Sequence, residues 1–82
     1  MTEVKARNFI YMKESTNRLY AVNPISGACG LGQAYPCEKL SNVCPNWRTD
    51  YACQDAYFTR YVKSRYGGWM GAYNFWLSHN WY

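Results

Sequence analysis

Glu14 is the residue whose type and position best suit chemistry. Ala6, Ile10 and Glu14 recur at i, i+4 and i+8, a spacing that puts them on one face of a helix. Phe9 lies beside Ile10 on that face. The carboxyl at the end of this stripe is aimed at the apolar side of the chain. A poorly hydrated carboxyl keeps its proton to higher pH, because its charged form loses hydration. A carboxyl still protonated near neutrality is a general acid. The alternative is an ordinary Glu in the last turn of a helix, bending out to solvent.

The cysteines are the second constellation. Cys29, Cys37, Cys44 and Cys53 form an even set in a short chain. That pattern suggests two disulfides and an oxidising compartment. Four cysteines allow three pairings. The neighbour pairing, Cys29–Cys37 with Cys44–Cys53, would close two short loops, each stabilising by roughly 2–3 kcal/mol on the chain-entropy model. A zinc site competes poorly. No C-x-x-C pair is present, and the one histidine, His79, is far away in sequence. No metal or other cofactor is expected.

The elements that must position Glu14 are helical. Thr2 can cap a first helix, with Glu3 in its first turn where the helix dipole favours an acid. This helix runs to about Glu14. Asn17 to Asn23 reads as a loop, and Asn23-Pro24-Ile25-Ser26-Gly27 as a turn. The glycines of Gly30-Leu31-Gly32-Gln33 permit close backbone approach. Pro36 to Leu40 can open a short helix, which Pro45 and Asn46 break. Thr49 or Asp50 can cap a helix to about Tyr66, with Cys53, Tyr57, Phe58, Tyr61 and Val62 on its apolar stripe. Gly67-Gly68 stops it. A last helix, Trp69 to about Ser78, is apolar almost all round, which predicts burial. The aromatic tail His79 to Tyr82 is expected to pack back onto the body. There is no strand pattern of any length.

A chain of 82 residues is one domain, residues 1–82. Its net charge of +4 suits an anionic partner such as a cell wall. The cations are scattered from Lys5 to Arg65, so no nucleic-acid arm forms. Nine Tyr, four Trp and three Phe can fill a small core or line a groove that stacks on sugar rings. There is no membrane-length apolar run and no signal peptide in the chain. A secreted protein would then be represented by its mature or excised domain.

Several stretches together resemble the lysozyme-like soluble lytic transglycosylase family. Glu14-Ser15 resembles its Glu-Ser motif, and Gly30-Leu31-Gly32-Gln33 its Gly-Leu-Met-Gln motif, with Pro36 at the family's following proline. Tyr61-Val62 with Arg65-Tyr66-Gly67 looks like the next helix and turn, and Ala72-Tyr73-Asn74 its Ala-Tyr-Asn motif. The order agrees from about residue 6 to residue 79. The most similar branch is that of small secreted wall-active domains of aggregation-promoting and resuscitation-promoting type, whose tails resemble Trp76 to Tyr82. The sequence departs from the pattern at Gly32, in place of Met, at Phe75, and in its four cysteines.

The resemblance implies a mainly α, lysozyme-like domain that cleaves the β-1,4 bond between N-acetylmuramic acid and N-acetylglucosamine in peptidoglycan. Glu14 would be the general acid. In a transglycosylase the same carboxylate then takes a proton from the muramoyl C6 hydroxyl, whereas a lysozyme delivers water. By the same match Ser15 would fix the Glu14 carboxyl or the substrate acetamide. Gly30 and Gln33 would line the groove, Tyr73 would hydrogen-bond Glu14, and Asn74 would contact the sugar. Tyr61 and Trp76 are candidate stacking platforms. Most glycosidases need a second carboxylate. Asp50 and Asp55 read better as helix-start residues, and Glu38 as an exposed loop acid. The expected partner is the peptidoglycan glycan strand, met by a secreted or wall-associated monomer without nucleic-acid binding or membrane insertion. A non-catalytic wall-binding or adhesion module on the same scaffold is the alternative. A disulfide-stapled membrane-active peptide would need a continuous cationic amphipathic helix, which is lacking.

Overall fold

The computed structural model describes residues 1–82. Helix α1 spans Glu3–Ser15 and begins at Thr2, whose hydroxyl accepts from the Lys5 amide at 3.1 Å. It ends at Thr16, which takes a left-handed conformation. Four further helical segments follow: α2 (Glu38–Ser41), a 3₁₀ turn (Trp47–Thr49), α3 (Tyr51–Tyr66) and α4 (Trp69–His79). Asp50 caps α3 by accepting from the Cys53 amide, and Gly67 closes it with φ 80°.

The start of α4 lacks a cap of its own. Its cap comes from the other end of the chain. The Glu3 carboxylate accepts from the backbone N–H groups of Trp69 and Met70 at 2.7 and 2.8 Å. A negative charge there satisfies two orphan donors and complements the helix dipole. This contact fixes α4 across α1, and α4 also packs on α3.

The core lies where these three helices meet the long connector. Ala6, Ile10 and Tyr11 from α1, Phe58 and Val62 from α3, and Trp69 and Ala72 from α4 are buried together. The Tyr11 ring stands edge-on to Trp69 and Phe58, at centroid distances of 5.2 and 6.1 Å. The connector adds Cys29, Leu31, Leu40, Cys44 and Trp47. It has no strand, only isolated bridges that pair Cys29 with Val22 and with Ala34.

The disulfides are Cys29–Cys37 and Cys44–Cys53, the neighbour pairing. The second ties the connector to α3. The first closes the Gly30–Gln33 loop upon itself. Gln54 completes the clamp. It is fully buried on α3. Its Oε1 accepts from the Leu31 amide at 2.8 Å, and its Nε2 donates to the carbonyls of Leu19 and Trp47. Three connector segments thus hang on one side chain.

Two expectations are corrected. The last helix is not buried all round: only Trp69 and Ala72 are buried, and Leu77 is exposed. One side of α4 faces α1 and α3. Phe75 lies at the edge, against Tyr66 of α3 at 5.2 Å, stacking on His79 at 4.0 Å and meeting Trp81 at 4.9 Å. The buried face of α3 is Gln54, Phe58 and Val62, so Cys53, Tyr57 and Tyr61 lie half-buried at its edge. The tail does return to the body, through Tyr82.

Candidate active site

Glu14 stands in the last turn of α1, half-buried, and lines a cleft of about 240 Å³. The opposite wall is the edge of α3, where Tyr57, Tyr61 and Arg65 follow one another at i, i+4 and i+8. The floor is the Gly32–Tyr35 stretch of the connector, and Tyr82 of the tail enters from the side.

Burial raises the Glu14 carboxyl above its ordinary value of 4.5. The Trp76 indole N–H acts in the opposite sense, favouring the charged form. It does so from a distance, because Trp76 Nε1 is buried and makes no formed hydrogen bond. Trp76 itself is set by Phe9, which it meets edge-on at 5.2 Å. A buried donor without a partner is a group that a nearby developing charge could engage.

No other carboxyl side chain lines the cleft. Asp50 is occupied as the α3 cap. Asp55 accepts from the Tyr11 hydroxyl at 2.8 Å and pairs with Arg7 at 3.3 Å. That network pushes the Tyr11 hydroxyl far above its usual range, first by burial and then through Asp55. Glu3 is engaged at α4.

Gly32 is required by close approach. A Cβ there would meet the Tyr82 hydroxyl and the buried Phe58 ring, the nearest Phe58 carbon lying only 2.5 Å away. The space that a longer side chain would take is filled by those two rings. The Tyr82 hydroxyl donates to the Gly32 carbonyl at 2.7 Å. Its pKa is raised well above the ordinary value by burial, then by the Glu14 charge and neighbouring tyrosines.

Of the residues singled out in the sequence, Glu14, Gln33 and Tyr61 meet in the cleft. Gln33 has a left-handed backbone and spends its amide N–H groups on the carbonyls of Gly30 and Ala21, at 2.9 and 3.3 Å. Its Oε1 is left as the free polar atom. The others stand apart from the cleft wall. The Ser15 hydroxyl is buried and donates to the Tyr11 carbonyl at 3.0 Å, within its own helix. Gly30 is buried under Leu40 and Gln54. Tyr73 does not hydrogen-bond Glu14, because its ring stands edge-on to Phe9 at 4.9 Å. Asn74 is exposed. Trp76 favours the charged form of Glu14 but does not line the cleft, so it is not a platform along it.

Sequence reasoning missed Tyr35, Lys39, Tyr57, Arg65 and Tyr82 as lining residues. The Tyr57, Tyr61, Arg65 spacing carried a signal, since it marks one edge of a helix. Tyr82 carried only the general signal of an aromatic tail that returns to the body, and Lys39 carried none.

No group of His, Cys, Asp and Glu side chains is placed to hold a metal ion. No helix is long and apolar enough to cross a membrane. No protein-family model matches the chain, and neither a curated protein nor a solved structure is found similar to it.

Proposed function

We propose that the protein is a small lysozyme-like glycosidase that cleaves the β-1,4 bond between N-acetylmuramic acid and N-acetylglucosamine in peptidoglycan. One observation carries the reading: Glu14 is the sole carboxyl side chain of the cleft, and burial raises its pKa. Such a group can deliver a proton to the bridging oxygen. The bond to the leaving sugar then breaks, and positive charge develops at the anomeric carbon. As Glu14 becomes charged, the unpaired Trp76 N–H can stabilise it. With no second carboxylate at hand, the substrate's own N-acetyl group assists from the opposite face. Glu14 next takes the proton of the muramoyl C6 hydroxyl, and an anhydro ring closes. Tyr57 and Tyr61 offer half-buried rings to the sugars.

Release of soluble fragments from purified peptidoglycan tests this. The wild type is expected to release them and Glu14→Gln to release none. A folded, oxidised wild type that releases nothing overturns the enzyme reading. The alternative is then a wall-binding module on the same scaffold. The modest size of the cleft favours that alternative, since about 240 Å³ lies below the usual range of small-molecule pockets.

A further inference from the structure

A second, shallower groove of about 590 Å³ adjoins the Glu14 cleft. It is lined by Val43, Tyr57, Arg60, Tyr61, Ser64 and Arg65. Tyr57, Tyr61 and Arg65 border both depressions. The two are therefore one continuous surface divided by a row of α3 side chains.

The cations of this surface form no salt bridge. The one ion pair of the protein joins Arg7 to Asp55. Glu3 is bound at the start of α4, and Asp50 at the start of α3. Lys39, Arg60 and Arg65 thus face the two depressions without a salt bridge, and Glu14 is the one acidic side chain that shares the first depression with Lys39 and Arg65. Arg65 also lies over the Tyr66 ring at 5.6 Å, which orients it. Cations beside aromatic rings, in a groove open to solvent, suit a sugar polymer that carries negative groups.

We infer that the groove of Arg60, Ser64 and Arg65 is a subsite for a carboxylate-bearing substituent of the glycan. That substituent extends from the sugar next to the one held at Glu14. The inference rests on the glycosidase reading. In peptidoglycan the carboxylate has two sources that exclude one another: the free lactyl carboxyl of a muramoyl residue without a peptide, and the acidic groups of the stem peptide where the lactyl carboxyl is amide-bonded to it. Either would place its charge beyond the Tyr57–Tyr61 row while the ring itself stays in the cleft. The cations give preference for substituted over bare glycan, and Glu14 gives the chemistry.

The test is equilibrium binding with Glu14→Gln, so that the ligand stays intact. Three soluble ligands of matched length are used: strands with stem peptides, strands whose peptides an amidase has removed, and neutral chitin oligosaccharide. The expected result at low salt is about tenfold tighter binding of a carboxylate-bearing strand than of the chitin oligomer, the sum of two or three exposed ion pairs. If only the amidase-treated strand binds tightly, the lactyl carboxylate is the ligand; if only the peptide-bearing strand does, the stem peptide is; if both do, the subsite accepts either carboxylate. Adding Arg60→Gln should reduce the preference roughly twofold to fivefold, and Arg60→Glu should reduce it further. Raising the salt to 0.5 M should erase it. Equal affinity for charged and neutral strands overturns the subsite while leaving the glycosidase reading intact. So does a preference that survives Arg60→Glu. No binding to any of the three overturns the glycosidase reading, and the subsite with it.

Discussion

The hydroxyl of Tyr82 donates to the carbonyl of Gly32 across 2.7 Å, joining residues fifty positions apart at the edge of the Glu14 cleft. This bond explains why the loop is slim at that point. Gly32→Ala would push a methyl into the buried Phe58 ring and the Tyr82 hydroxyl. Tyr82 can swing away, but Phe58 is held in the core. Overpacking of this kind costs about 1–3 kcal/mol. Urea unfolding should show that loss for Gly32→Ala. Tyr82→Phe, which removes only the hydrogen bond, should lose about 1 kcal/mol.

Glu14 should make both activity and stability depend on pH. Its folded pKa is raised above the ordinary 4.5 by burial. The folded state therefore holds the proton more tightly than the unfolded chain does. The stability that goes with the protonated form is fully present below the unfolded pKa and is lost as pH rises through the folded pKa. Glu14→Gln should accordingly be more stable than the wild type at neutral pH, with the difference shrinking toward pH 4. Urea midpoints measured against pH check this. The general acid must be protonated, so kcat/KM should fall on the alkaline side as Glu14 ionises. Trp76→Phe removes the N–H that favours the charged form, and should move that alkaline limb to higher pH.

The Glu3 carboxylate holds two backbone N–H groups of α4. Glu3→Ala should cost about 1–2 kcal/mol, the scale of a charge-assisted helix cap. Because α4 carries Trp76, the loss should extend to the site. Amide exchange should speed up at Trp69 and Met70 ahead of the α3 amides.

Gln54 holds three connector segments, one of which, at Leu31, leads directly into the Gly32–Tyr35 lining of the cleft. Gln54→Leu keeps the bulk but leaves the Leu31 N–H and the Leu19 and Trp47 carbonyls without their partner. Each buried orphan costs about 1–3 kcal/mol, so this substitution should be among the most damaging in the chain. Thermal unfolding checks it. A variant that keeps wild-type stability would contradict the clamp.

The helices were legible in the sequence because their signals are local. Thr2, Asp50 and Gly67 act as caps within one turn of the residues they serve, and Ala6 and Ile10 are buried as their spacing predicts. Glu14 was legible for the same reason: it continues that stripe. What the sequence hid depends on distant partners. Glu3 looks like an ordinary first-turn acid, yet its carboxylate serves a helix sixty-six residues away. Gln54 interrupts an apolar stripe and reads as a surface amide until three loops close on it. Ser15, Gly30 and Tyr73 were named from short motifs, and motifs do not state direction. The Ser15 hydroxyl turns to its own backbone, Gly30 lies beneath Leu40, and Tyr73 packs on Phe9. The aromatic surface of α4 defeated hydropathy, because its rings shield one another without being buried in the core.

Mass spectrometry of the soluble products from purified peptidoglycan is the most direct measurement of the chemistry assigned to Glu14. Wild type and Glu14→Gln would be compared as folded, oxidised proteins. The expected result is anhydro-muropeptides from the wild type and none from the variant, since the cleft offers Glu14 alone as acid and then base. Reducing-end muropeptides would contradict ring closure by the C6 hydroxyl and make the reaction a hydrolysis, with water in the place of that hydroxyl. Equal products from both proteins would contradict the role of Glu14 itself.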